Sequence, residues 1–129
     1  MMNSGADLKS CIQSCWECRN ECQTTLFTHC LETGGDHLAP EHVRIMADCI
    51  QMCQLAADAM VRKSPLHADI CRLCADICTA CAESCEKIES REMQSCADIC
   101  RKCADSCREM GGLPGAPHSD AQNEGRIMA

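Results

Sequence analysis

Cys11, Cys15, Cys18 and Cys22 follow one another at gaps of four, three and four residues. Cys71, Cys74, Cys78, Cys81 and Cys85 repeat the pattern, as do Cys96, Cys100, Cys103 and Cys107, and Cys49 with Cys53 adds a shorter run. Cys30 completes sixteen cysteines in 129 residues. An α-helix turns by about 100° per residue, so steps of three and four return each side chain to nearly the same face. The chain therefore encodes helices whose inward stripe is sulfur. Thiolate is a soft ligand that selects Cu(I), zinc or iron–sulfur clusters.

The spacing discriminates among these. Zinc favours closed sites of four ligands, usually with Cys-x2-Cys pairs on turns. Here pairs such as Cys15 with Cys18 and Cys100 with Cys103 continue into Cys-x3-Cys within a helical pattern. An iron–sulfur cluster needs thiolates converging from a loop or from several elements, and no such loop is apparent. Cu(I) accepts two or three thiolates and allows one sulfur to bridge two ions. Each Cu(I) that replaces a thiol proton leaves a neutral unit, whereas zinc at four thiolates leaves two negative charges in a dry core. Cu(I), many ions per chain, is the expected cargo. A zinc or general heavy-metal sequestration protein and a thiol redox protein are the alternatives.

Further soft donors sit near the ends of the stripes. Met60, His67 and Met110 fall on the sulfur faces at one end of the expected bundle. His29, His42, Met46 and Met93 do so at the other, with Cys30 on the flank of the first helix. Imidazole and thioether suit a relay at a mouth; methionine also serves simply as a core plug.

The elements that must position these groups are four helices. The first runs from about Asp7 to Thr33 and stops at Gly34-Gly35, a C-terminal signal. The second opens at Pro40 and continues to about Arg62. Ser64 as N-cap and Pro65 as first helical residue start the third, which lasts to about Ile88. Ser90 restarts the chain as the fourth, which Gly111-Gly112 ends. A link of one or two residues between the third and fourth makes them antiparallel neighbours. The expectation is all-α, an antiparallel four-helix bundle with a cysteine-lined core over residues 1–112, followed by a disordered tail over 113–129.

Composition agrees. Leu, Ile, Val and Phe total only 19, a level that suggests disorder in most chains. Free cysteine packs as a small hydrophobe and supplies the missing core. Cys74-Ala75-Asp76-Ile77-Cys78 recurs as Cys96-Ala97-Asp98-Ile99-Cys100, a sub-helical repeat that reads as duplication of a metal-binding turn. Ile70, Leu73 and Ile77 form a second apolar seam, as do Val43, Ile50, Ala57 and Val61. Each seam packs either a neighbouring helix or another subunit.

A formal net charge of −7 argues against nucleic-acid and anionic-membrane partners. The opening residues hold no apolar stretch of the kind a secretion signal requires, so a cytoplasmic protein with reduced thiols is expected. Geometry also disfavours disulfides within a helix, because neighbours at three or four residues are about 5–6 Å apart at Cβ where a disulfide needs about 3.5–4.5 Å. Catalysis is the least expected class, since no nucleophile constellation or open three-ligand site is evident.

The chain resembles the four-helix-bundle copper storage proteins, in their branch without an export signal. The resemblance rests on the Cys11 to Cys22 run and its echoes in the third and fourth helices. It rests also on the segment His29-Cys30-Leu31-Glu32-Thr33-Gly34-Gly35-Asp36-His37 leading to His42, followed by Asp48-Cys49, Cys53 and Ala56-Ala57-Asp58-Ala59-Met60. It covers about residues 7–110. It implies a homotetramer of bundles, each storing many Cu(I) ions through its cysteines, with histidines near the bundle ends as accessory ligands. A copper donor or acceptor protein would be a further partner, which the sequence does not identify.

Overall fold

A computed structural model describes residues 5–112. The tail expected over 113–129 lies outside the described residues. Four long helices dominate: α1 (Gly5–Thr24), α2 (Pro40–Val61), α3 (His67–Glu86) and α4 (Arg91–Met110). Each packs against the two beside it, α1 on α2 and α4, α3 on α2 and α4. Short connections make successive helices antiparallel.

The first helical arm is not uniform. After α1 the backbone winds as a π-helix over Thr25–Cys30 and regains α geometry over Leu31–Thr33. Gly34 and Gly35 then take positive φ values of 71° and 59°, a conformation that favours glycine, and a 3-10 turn over Gly35–Leu38 leads to Pro40.

Two boundaries differ from the sequence expectation. Ser64 does not cap α3; its hydroxyl accepts from the Leu66 backbone N–H at 3.2 Å, closing a turn, and the helix begins at His67. The link between α3 and α4 spans residues 87–90 rather than one or two positions, because α3 ends at Glu86. Ser90 does cap α4. It is extended, and its hydroxyl accepts from Met93 N–H at 3.1 Å, satisfying one of the free donors at the helix start.

All sixteen cysteines are free and fully buried. Methyl groups lie beside them: Ala56 and Ala57 on α2, Ala75 and Ala82 on α3, Ala97 and Ala104 on α4 are all buried. Small side chains let helix backbones approach closely and leave the bundle axis to sulfur. The apolar seams divide. Ala57 is buried, while Leu73 and Val61 are 43% and 56% exposed.

Candidate metal centre

The thiols form a continuous column rather than isolated pairs. Toward the end where α1 begins, Cys11 Sγ lies 3.9 Å from Cys107 Sγ, and Cys15 lies 3.5 Å from Cys107. At mid-bundle Cys53 approaches Cys78 at 3.6 Å and Cys103 at 3.9 Å. Further along, Cys22 sits 3.5 Å from Cys100 and 3.6 Å from Cys96, and Cys18 sits 3.8 Å from both Cys49 and Cys100.

Within the column the sulfurs cluster. Four groups have all their Sγ atoms within 4.8 Å of one another: Cys11, Cys71 and Cys107; Cys15, Cys74, Cys103 and Cys107; Cys18, Cys53, Cys78 and Cys103; Cys18, Cys22, Cys49 and Cys100. The third takes one cysteine from each helix. Proton affinity is distributed unevenly along such a column. Cys103, hydrogen-bonded to Cys107 and then Cys15, is held far below the ordinary thiol range. Cys49 is likewise depressed, by Cys100 and then Cys18. Cys78, hydrogen-bonded to Cys103, is pushed well above it. In a dry sulfur cluster, hydrogen bonding between thiols favours the thiolate on some members and the thiol on others. Thiolate is the form that binds metal.

The end defined by Cys30 has different chemistry. Cys30 Sγ lies 3.6 Å from Met93 Sδ and 3.9 Å from His42 Nε2. His42 is buried, and its Nδ1 lies 2.7 Å from Ser84 Oγ. With Nδ1–H donating to that hydroxyl, the Nε2 lone pair faces Cys30. Burial lowers the His42 pKa, favouring the neutral imidazole that coordinates metal. Burial, reinforced by Cys96 and Cys81, raises the Cys30 thiol to about 11. An open pocket lined by Asp36, Glu41, His42, Ser84 and Lys87 meets this cluster at His42.

A family model described as "Copper storage protein" matches residues 4–112. The chain belongs to the copper storage protein family. Among solved structures, Nmul_A1745 from Nitrosospira multiformis is 38% identical with a TM-score of 0.81, over 84% of this chain and 98% of that one. The Cu(I)-bound copper storage protein BsCsp3 is also 38% identical, with a TM-score of 0.76, over 81% of this chain and 98% of its own. A curated relative, the uncharacterized cysteine-rich protein YhjQ of Bacillus subtilis, is 40% identical over 66 residues. That match spans 51% of this chain and 60% of YhjQ.

Against this copper storage fold, the positions singled out in the sequence separate into three kinds. Cys11, Cys15, Cys18, Cys22, Cys49, Cys53, Cys71, Cys74, Cys78, Cys81, Cys85, Cys96, Cys100, Cys103 and Cys107 face the core together. Met60 and Met110 are buried at the end where α1 begins, and Met46 and Met93 at the other. His67 is half-buried, its Nδ1 3.0 Å from the Ser64 carbonyl oxygen, and is not drawn into a thiol group.

Two residues exchange places relative to expectation. Cys30 is in the core, not on the flank, and His29 has left the sulfur face. At about 100° per residue, Cys30 lies about 80° off the Cys22 direction in an unbroken α-helix. A π turn accommodates one extra residue, so eight residues advance the face as seven do, and Cys30 returns to within about 20°. The same shift carries His29 outward. It is 25% exposed, with Nε2 3.3 Å from Ser90 Oγ and 3.8 Å from Glu92 Oε1, and its ring meets His37 edge-on at 5.0 Å. Sequence reasoning also missed Ser84, which orients His42; a serine two residues before the end of a cysteine-striped helix carries no signal of that role.

Proposed function

We propose that this chain stores Cu(I), many ions per monomer, on the thiolates of all sixteen cysteines, as a homotetramer in the cytoplasm. The observation that carries the reading is the continuous buried column of Sγ atoms at 3.5–4.0 Å, in which one sulfur can bridge successive ions. The similarity to Cu(I)-bound BsCsp3 supports the choice of metal. A core filled at about one copper per cysteine stays electrically balanced as each ion displaces a proton. The role is storage, not turnover.

Exchange takes place at the bundle ends, chiefly that of Cys30. Cys30, His42 and Met93 offer thiolate, imidazole and thioether beside an open pocket, a graded set through which a soft ion passes without being left bare. His29 stands outside this set as an outer ligand. Met60 and His67 perform the corresponding duty at the opposite end. The half-exposed apolar side chains of Leu55, Leu73 and Val61 support assembly through the outer faces of α2 and α3. Among the described residues no helix is long and apolar enough to cross a membrane.

The test is an anaerobic titration of the reduced protein with Cu(I) against a coloured chelator, with mass measured by light scattering. An endpoint of about 16 ions per chain or somewhat more, on a tetramer, is expected. An endpoint of about four or fewer refutes the thiolate store.

A further inference from the structure

The four-thiol groups have the shape of another cargo. A tetrahedral zinc–thiolate centre with bonds of about 2.3 Å has sulfur–sulfur edges of about 3.8 Å. In the group of Cys18, Cys22, Cys49 and Cys100, four edges measure 3.8, 3.8, 3.5 and 4.0 Å. In the group of Cys15, Cys74, Cys103 and Cys107, three measure 3.5, 3.8 and 4.0 Å. The group between them draws one thiol from each helix, with Cys53 at 3.6 Å from Cys78 and 3.9 Å from Cys103.

These groups are linked at corners. Cys103 belongs to the Cys15 group and the middle group, and Cys18 to the middle group and the Cys22 group. Sharing bears directly on the charge argument that favoured Cu(I). Three separate tetrahedra require twelve thiolates, whereas the linked array contains ten. Two of the six negative charges that isolated sites would leave in the core are thereby removed. The Cys11, Cys71 and Cys107 group offers three sulfurs and does not complete a tetrahedron.

We propose that the copper-free core also binds zinc-class divalent ions, three per chain, in corner-sharing four-thiolate sites joined at Cys103 and Cys18. Each ion displaces protons from its thiols and binds without redox change. The inference rests on thiol geometry alone and stands independently of the Cu(I) reading.

Co(II) reports such sites, because tetrahedral thiolate ligation gives it intense visible absorption. The full-length, reduced, copper-free protein is titrated anaerobically with Co(II), and ions carrying the all-thiolate tetrahedral signature are counted. Three per chain are expected. Cys103→Ala removes a shared corner and lowers the count to one, whereas Cys53→Ala removes a corner of one group and lowers it to two. Equal losses in the two variants overturn the corner sharing, and a count other than three in the unaltered protein overturns the proposal. Circular dichroism establishes that each variant retains its helices. Should Cys103→Ala not fold, Cys18→Ala against Cys49→Ala poses the same comparison, since Cys18 is shared and Cys49 is not. A parallel Cu(I) titration separates the two cargoes: failure with Co(II) leaves the copper count intact, and failure with Cu(I) leaves the divalent count to stand by itself.

Discussion

At mid-bundle, Cys18, Cys53, Cys78 and Cys103 bring one thiol from each helix into a single group. At the Cys30 end, a cysteine just as deeply buried has an imidazole and a thioether for neighbours, and its backbone has left the α register. The column offers many like donors, with sulfurs shared between neighbouring groups. The end offers few, unlike donors and an open pocket. Capacity and exchange make opposite demands on a metal site, and the proposed function assigns them to different stretches of one continuous core.

The largest expected effect tests the column. Replacing Cys74, Cys78, Cys100 and Cys103 with Ser lowers Cu(I) capacity by about four ions or more per chain, since each thiolate is needed for about one ion. Chelator competition under nitrogen measures it, and an unchanged capacity would break the distinction between the two regions.

The next concerns protonation at the end. Cys30 holds its proton more tightly folded, at a pKa of about 11 against an ordinary 9.0, because its thiolate is desolvated. A raised folded pKa contributes stability that is complete below the ordinary value and is lost as pH rises through the folded one. The copper-free protein therefore loses stability between about pH 9 and pH 11. Cys30→Val reduces that loss by about 2–3 kcal/mol, as read from urea midpoints across the range. A parallel pH profile in the two proteins would show that Cys30 is not in so dry a setting.

His42→Ala sharpens the comparison kinetically. Removal of Cu(I) by excess chelator slows about tenfold, equivalent to about 1.4 kcal/mol in barrier, while capacity changes by about one ion at most. Capacity falling sharply with an unaltered rate would assign His42 to storage instead. The smallest effect is structural. Ser90→Ala removes the N-cap of α4 and costs about 1 kcal/mol in thermal or urea unfolding of the copper-free protein, with the copper count unchanged.

The column was legible in the sequence because steps of three and four survive wherever the helix is regular, as from Cys71 to Cys85 or from Cys96 to Cys107. Cys30 was not, because angular arithmetic assumes an unbroken α period and nothing in Thr25-Leu26-Phe27-Thr28-His29 announces a π turn. His29 was misplaced for the same reason, with the opposite sign. The α3 start was read two residues early because Ser-Pro resembles a helix opening. In the fold Ser64 closes a turn of its own. The corner sharing at Cys18 and Cys103 depends on the relative heights of facing helices, which no single helix encodes.

Ala75 and Ala82 on α3, and Ala97 and Ala104 on α4, recur at intervals of seven residues and are all buried beside the sulfur. They set the spacing of the helices independently of what fills the axis between them. A cysteine can be gained or lost along the axis while this methyl gauge keeps the helices at a constant close approach. The number of ligands can therefore drift over evolutionary time without redesign of the scaffold.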